Sequence, residues 1–273
     1  MSERAKSGRQ TGESLSMPEW PQVVEKIRQR TPARILVGRS GAGYTTGTQL
    51  DLRQAHAAAV DAVRTELDLV HHFKSAFFEQ WKLFEVCTCA GTKSEYLLRP
   101  DLGRRLNPAA CTELLRRCQP GVDLQIAIGD GLSVSAVSAQ VPELLSAIAR
   151  HAQELGWSVG QPFVIRHCRV GVLNHIGELL RPKVAVLLIG ERPGLATAES
   201  LSAYMAYQPK PGHTDANRNL ISNIHARGVL PSEAARRVVG LAQLMMRKEI
   251  SGAQLKETLP RALDEGKDRK LEG

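Results

Sequence analysis

The chain has 273 residues and a formal net charge of +8, with 42% hydrophobic and 4% aromatic residues. This length can bury one substantial core or two modest ones. Its longest apolar runs, such as residues 184–189, fall far short of the ~20 residues that span a bilayer, so we expect no membrane protein. Basic residues are interspersed with acidic ones and few aromatic side chains are present for base stacking, so we also expect no nucleic-acid partner.

Both the first residues and the cysteines indicate an intracellular protein. Residues 1–17, MSERAKSGRQTGESLSM, contain no apolar stretch and no small-residue cleavage site, which predicts a disordered polar tail rather than a secretory signal. The five cysteines form no C-x-x-C pair, so they fit neither a disulfide framework nor a zinc site. We therefore expect reduced thiols.

Residues 18–120 are predicted to be a mainly helical N-terminal region. Trp20, Val24 and Ile27 recur at helical spacing in an amphipathic segment over 18–33. A short apolar run at 33–37 resembles a strand, and the Ala-rich segment 49–69 predicts a helix. Residues 71–120 show no clear period, so only helices and loops are expected there.

From residue 121 to 250 the pattern changes to alternating strands and helices. The apolar segments DLQIAI, PFVIRH and KVAVLLI are separated by helices that end near residues 155 and 180. Such a βαβαβ order predicts an α/β, Rossmann-like parallel sheet with helices on both faces. A further strand is expected at 220–224, a helix at 231–248, and a polar C-terminal tail at 251–273.

Three loops follow the predicted parallel strands and should meet at one edge of the sheet. They are GDGL (129–132), CRVG (168–171) and GERPG (190–194). Arg169 and Arg192 suit phosphate or carboxylate groups, while Asp130 and Glu191 can accept hydrogen bonds from a ligand. Each loop alone is equally typical of a turn on the surface, but the three together favour a cleft for a large polar ligand.

Common catalytic and phosphate-binding motifs are missing from the sequence. The loop GRSGAG has Tyr44 after Gly43, where a Walker A loop needs lysine, and Thr46 stands where a dinucleotide fingerprint needs glycine. No G-x-S-x-G or H-E-x-x-H occurs, and His56 and His175 lie on predicted helices, where a structural role is the more common one. We therefore predict no catalytic residues and no metal site on this chain.

Seven sequence blocks, in the same order along the chain, resemble a known family. They are LVGRSGAG, QLDLRQAHAAAVDAV, YLLRPDLGRRL, DLQIAIGDGLSVSAV, RVGVLNHIGELL, LLIGERPGLATAESLSAYMAY and RNLISNIHARG. Over about residues 33–250 the sequence resembles the small (light) subunit of ethanolamine ammonia-lyase. The resemblance implies an adenosylcobalamin-dependent carbon–nitrogen lyase of ethanolamine catabolism, which forms acetaldehyde and ammonia.

The resemblance also implies which subunit binds the substrate and which binds the cofactor. A large subunit would bind ethanolamine and carry the chemistry, and the small subunit would clamp the cobalamin at their interface, in an obligate hetero-oligomer. The location would be cytoplasmic, and in some bacteria of the family it is inside a microcompartment. The amphipathic segment at 18–33 is open to two interpretations, an encapsulation peptide or an ordinary helix.

Three positions correspond to the family's cofactor contacts. They are Val170, Glu191 and Leu220, where the family has cysteine at the last. If the family's cofactor contact at this position is made by the backbone, Leu220 can keep it. If the contact needs the thiol side chain of cysteine, Leu220 loses it. Arg192 would hold its loop or face the large subunit, and residues 39–44 and 99–105 would contact that subunit. Because D-x-H-x-x-G is absent, the cobalamin is expected to bind base-on.

An alternative function uses the same edge of the sheet. A stand-alone α/β nucleotide-binding or transferase protein would also bind its ligand beyond the carboxyl ends of the strands. This alternative predicts a phosphate-loop fingerprint.

Overall fold

A computed structural model describes residues 22–31, 33–194 and 196–257. Its helices are α1 (Gln22–Gln29), α2 (Thr46–Arg64), α3 (Leu69–His72), α4 (Ser75–Trp81), α5 (Lys93–Leu98), α6 (Pro108–Arg117), α7 (Val134–Glu154), α8 (Val172–Leu180) and α9 (Pro231–Lys248). Its strands are β1 (Arg39–Ser40), β2 (Gly43–Tyr44), β3 (Glu85–Cys87), β4 (Leu124–Gly129), β5 (Phe163–Arg166), β6 (Val184–Gly190), β7 (Leu201–Tyr207) and β8 (Asn219–Ile224).

Six strands form one mixed sheet in the order β3-β5-β4-β6-β7-β8. The first four are parallel, as predicted for β4, β5 and β6, but β7 and β8 run antiparallel to their neighbours. The wholly parallel, Rossmann-like sheet expected from the sequence is therefore wrong for this end of the sheet. Only residues 191–200 join β6 to β7, and a parallel return needs a crossover of a dozen or more residues.

Helices cover both faces of the sheet, which confirms that part of the prediction. Side chains alternate along the buried strands, so that Val186 and Leu188 of β6 face α7 and α9, whereas Ala185 and Leu187 face α6 and α8. Because both faces are buried, the central strands read as continuous apolar runs rather than alternating ones. For this reason β4, β5 and β6 could be predicted from their apolar runs in the sequence.

Local signals in the sequence fix where the main helices begin. Ser133 caps α7, accepting a hydrogen bond from the Ala136 amide at 3.2 Å. Pro231 occupies the first position of α9, where its missing N–H costs nothing. The helix predicted over 231–248 is confirmed in full.

The N-terminal part differs from its prediction in two elements. Residues 33–37 form no strand, and Leu36 adopts a positive φ of 54°; a short β1–β2 hairpin follows instead. β3 was not predicted, although it pairs with β5 in the main sheet. Among the residues that the structure describes, no strand pairs with the segment 33–37, so its backbone gains no ladder hydrogen bonds from an extended conformation.

The terminal predictions fall mostly outside the described residues. Residues 1–17, Trp20 and the tail beyond residue 257 are not described, so the tail and domain boundaries stay predictions. Residues 251–257 are described, and there Leu255 is buried and Glu257 pairs with Arg237 at 2.7 Å. Among the helices in the described part of the chain, none is long and apolar enough to cross a membrane.

The two-faced core leads to a stability prediction. Leu144 of α7 is fully buried, whereas Leu115 of α6 is 58% exposed. Leu144→Ala should lower the free energy of unfolding by about 2–5 kcal/mol, because it removes buried methyl groups and leaves a cavity. Leu115→Ala should change it by less than about 0.5 kcal/mol. Urea unfolding of the purified variants measures both values, and equal losses would contradict the packing described.

Candidate functional site

A cavity of about 270 Å³ lies beyond the carboxyl ends of β4, β5 and β6. It is lined by Tyr96, Gly131, Leu132, Cys168, Arg169, Val170, Ile189, Gly190, Glu191, Arg192, Ser202, Tyr204, Leu220 and Ser222. All three predicted loops contribute to this lining, so their meeting at one edge is confirmed. The antiparallel strands β7 and β8 supply the remaining wall.

A buried carboxylate joins the first loop to the second. Asp130 is fully buried, and its two oxygens accept hydrogen bonds from the amides of Cys168 at 2.8 Å and His167 at 2.9 Å. The Lys93 ammonium lies 3.7 Å from the same carboxylate. Burial raises the pKa of Asp130, and the positive charge of Lys93 opposes that rise. Asp130 therefore holds the loops to one another and, unlike Glu191, is not among the residues that line the cavity.

Tyr96 of α5 supports the second loop from outside the predicted site. Its hydroxyl donates to the carbonyl of Cys168 at 2.9 Å, and the guanidinium of Arg169 lies over its ring, 4.3 Å from the centre. Burial raises the pKa of the Tyr96 hydroxyl, which stays a donor. The sequence analysis did not identify Lys93 and Tyr96 as site residues, because apolar residues show no clear periodicity over 71–120. Only the fold brings these two residues to this edge of the sheet.

His167 connects the loop to the end of α2. It has a positive φ of 56°, and its ring nitrogens lie 3.0 Å from the carbonyl of Ala90 and 3.2 Å from a carboxylate oxygen of Glu66. Burial raises the pKa of Glu66, but hydrogen bonds from Arg166 and His167 outweigh that effect and lower it. A backbone strained at His167 is thus held by contacts from two other segments.

Glu191 lies on the cavity wall with its carboxylate already held in place. Its oxygens accept hydrogen bonds from the hydroxyls of Ser200 at 2.6 Å and Ser202 at 2.5 Å, and from the amide of Asn223 at 3.0 Å. A carboxylate offers about four acceptor positions, so about one remains. The neighbouring Arg192 is exposed and makes no hydrogen bond within the described residues, which leaves its predicted role in holding the loop without support.

Val170 stands at the start of α8, where helix amides lack partners inside the helix. Gly171 caps α8 without a side-chain hydrogen bond. In the part of the chain that the structure describes, the amides of Val170 and Gly171 donate no hydrogen bond. Such amides suit an acceptor atom of a ligand.

Leu220 lies on the edge strand β8, opposite Tyr204 of β7. Its side chain is 45% exposed and contributes an apolar surface to the cavity. The GRSGAG loop, in contrast, forms the exposed β1–β2 hairpin and lines neither this cavity nor the groove beside it. Among the described residues, no three acidic, histidine or cysteine side chains group as metal ligands.

Comparisons with known proteins agree with the sequence motifs. A family model described as ethanolamine ammonia-lyase light chain matches residues 21–256. The chain belongs to the ethanolamine ammonia-lyase light chain family. It is 40% identical over 231 residues to the ethanolamine ammonia-lyase small subunit of Clostridium perfringens, covering 85% of this chain and 76% of that protein. The small subunit of Pseudomonas putida is 40% identical, covering 85% and 86%, and that of Clostridium acetobutylicum is 36% identical, covering 85% and 94%.

Membership in the light chain family confirms the resemblance stated from the sequence. The structure brings all three positions matched to the family's cofactor contacts, Val170, Glu191 and Leu220, to one cavity. That they bind a cofactor stays a prediction. In this chain the loop glycines matter because the backbones of the loops approach closely, as where the Leu132 amide donates to the Gly190 carbonyl at 3.1 Å.

Gly190 and Gly194 provide a matched test of this close approach. A Cβ on Gly190 would lie 2.0 Å from the carbonyl oxygen of Ser133, whereas one on Gly194 would meet nothing within 4 Å. Gly190→Ala should therefore lower the free energy of unfolding by about 1–3 kcal/mol or more, as overpacking does. Gly194→Ala should change it little. Thermal or urea unfolding compares the two, and an unaffected Gly190→Ala variant would show that the loops pack differently.

Proposed function

We propose that this chain is the small subunit of adenosylcobalamin-dependent ethanolamine ammonia-lyase, a carbon–nitrogen lyase that converts ethanolamine to acetaldehyde and ammonia. One observation carries the proposal beyond family membership. Val170, Glu191 and Leu220 come from three separate segments, yet all line one cavity at the carboxyl edge of the sheet. Ligands of open α/β sheets bind at that edge.

The chemistry of the cavity fits a cobalamin. The corrin carries amide side chains around its rim, which both donate and accept hydrogen bonds, and it has apolar faces. The wall offers an acceptor in Glu191, an amide donor at Val170, and apolar surface at Leu220. A cavity of about 270 Å³ encloses only an edge of so large a molecule, which suits a cofactor shared between two subunits.

The proposed role of this chain is to bind and orient the cofactor. When bound, adenosylcobalamin supplies a radical through its cobalt–carbon bond. Glu191 would accept a hydrogen bond from an amide of the corrin rim, because the two serines and the Asn223 amide fix its carboxylate in advance. The apolar side chain of Leu220 would pack against the cofactor. No residue of this chain is assigned to the chemistry.

The exposed N-terminal part supports an association with the large subunit. Within α2 only Ala62 is buried, and Leu50 is 58% exposed. Tyr44 of the neighbouring hairpin is exposed as well. Side chains of this kind, together with residues 99–105, would contact the large subunit, which would bind ethanolamine. The location would be the cytoplasm, with the complex either free or inside a microcompartment.

A reconstitution experiment tests the proposed function. The chain is purified alone and after co-expression with a large subunit, and ethanolamine deamination is assayed with added adenosylcobalamin. Activity is expected only for the co-purified complex, because the proposal assigns the chemistry to the cofactor and the large subunit. Failure to form a complex, together with no activity on mixing, would refute the proposal.

Glu191 provides a sharper prediction within the complex. Glu191→Ala should raise the adenosylcobalamin concentration for half-maximal rate about tenfold or more, since hydrogen bonds to charged groups contribute about 1.5–3 kcal/mol. Ser200→Ala is the matched control, because it removes one hydrogen bond to the carboxylate but leaves the carboxylate itself. If the two variants shift the half-saturating concentration equally, Glu191 acts only on its loop.

A further inference from the structure

A tight turn over residues 223–229 follows from the end of β8. Its backbone is closed by hydrogen bonds from the Val229 amide to the Asn223 carbonyl at 2.9 Å and from the His225 amide to the Val229 carbonyl at 3.1 Å. A Cβ on Gly228 would lie 2.2 Å from the carbonyl oxygen of Asn223. The turn is therefore packed too closely for a residue larger than glycine at position 228.

His225 lies inside this turn and is only 4% exposed. Its Nδ1 accepts a hydrogen bond from the backbone amide of Arg227 at 3.2 Å, so this nitrogen carries no hydrogen. The one hydrogen of the neutral ring is therefore on Nε2, which lies 2.8 Å from Oδ1 of Asn223. The backbone of the turn thus fixes the tautomer in which His225 donates to Asn223.

Asn223 has a left-handed backbone, with a positive φ of 60°. Asparagine adopts this conformation more readily than most residues, but it still needs local contacts to hold it there. In this conformation the Asn223 amide donates to Oε1 of Glu191 at 3.0 Å. Two successive hydrogen bonds therefore link the ring of His225 to the carboxylate on the cavity wall.

The conformation of Asn223 matters because its amide is the least adjustable donor to Glu191. The other two donors within the described residues are the hydroxyls of Ser200 and Ser202, which can rotate toward other acceptors. A backbone amide has no such freedom, since its direction is set by the backbone itself. The direction of the Glu191 carboxylate therefore depends on how firmly residue 223 is held.

We propose that His225 is a positioning residue for the cofactor contact at Glu191, because its Nε2–H holds Asn223 in the left-handed conformation that aims the amide at the carboxylate. The inference rests on the proposed function, in which Glu191 accepts a hydrogen bond from the cofactor. His225 is not among the residues that line the cavity, so it acts only through Asn223. Loss of its Nε2 donor should weaken cofactor binding only while Glu191 is present.

Substitutions by asparagine and glutamine separate the two nitrogens of the ring. The side-chain oxygen of asparagine stands about where Nδ1 does, whereas the side-chain nitrogen of glutamine reaches the place of Nε2. Equilibrium dialysis of cyanocobalamin against the complex of large and small subunits measures Kd. His225→Asn should raise Kd about threefold to tenfold, as for loss of one hydrogen bond, and His225→Gln should keep it within about twofold.

A matched control is available at the other end of α7. His151 is a histidine whose partner, Glu154, belongs to the same helix at 3.1 Å. His151→Asn should change Kd by less than about twofold, because it removes a contact remote from the turn. A loss as large as that of His225→Asn would show that the assay responds to histidine substitutions in general, and would overturn the inference.

The Glu191→Ala background distinguishes positioning from a general loss of structure. With the carboxylate gone, His225→Asn should add less than about twofold to Kd. An equal loss in both backgrounds, or no loss while Glu191 is present, would overturn the inference, and so would an unchanged Kd in Glu191→Ala alone. If the unaltered complex does not bind cyanocobalamin, the proposed function itself is refuted.

Asn223→Gly tests the same link if His225→Asn does not assemble with the large subunit. Glycine keeps the positive φ and the backbone amide but removes the Oδ1 that His225 binds. Kd should again rise about threefold to tenfold, and adding Glu191→Ala should abolish this difference. An Asn223→Gly complex that binds cyanocobalamin as tightly as the unaltered one would show that the side chain of Asn223 does not position its amide.

Discussion

The buried carboxylate of Asp130 is the constraint on which the cavity depends. It satisfies the amides of His167 and Cys168 where β5 ends, while its own chain leaves β4. An ionised group without water is stable only when hydrogen bonds and an opposite charge compensate, and Lys93 supplies the charge. The loops of two strands are thereby fixed to one another, and α5 is fixed to both.

The third loop, at 190–194, is also held by hydrogen bonds to a carboxylate, but this carboxylate lies on the cavity wall. Glu191 accepts hydrogen bonds from Ser200, Ser202 and Asn223, which lie just before β7, in β7 and in β8. Its carboxylate is therefore fixed by this end of the sheet, whereas that of Asp130 is fixed by Lys93 and the loop after β5. Glu191, unlike Asp130, stays on the cavity wall. One carboxylate therefore serves the fold, while the other, under the proposed function, would accept a hydrogen bond from the cofactor. The antiparallel end of the sheet, which departs from a Rossmann-like arrangement, is what supplies the donors.

Sequence patterns predicted the parts of this structure that depend on local periodicity. The buried strands β4, β5 and β6, the helix α9 and the meeting of three loops followed from apolar runs, Pro231 and strand order. β3 and β7 could not be predicted in this way, because three residues carry too little pattern and LSAYMAY alternates small and large side chains without a clear polar face. Lys93 and Tyr96 reach the site only through the pairing of distant segments, which periodicity does not encode.

The polar groups at the carboxyl edge of the sheet are fixed in place by other parts of the same chain. Asp130 is held by two loop amides and Lys93, and Glu191 by two serines and the Asn223 amide, while the amides of Val170 and Gly171 have no partner among the described residues. Under the proposed function these groups would orient the cofactor, and the chemistry would belong to the cofactor and the large subunit. The exposed α2 is the surface that such a partner would cover.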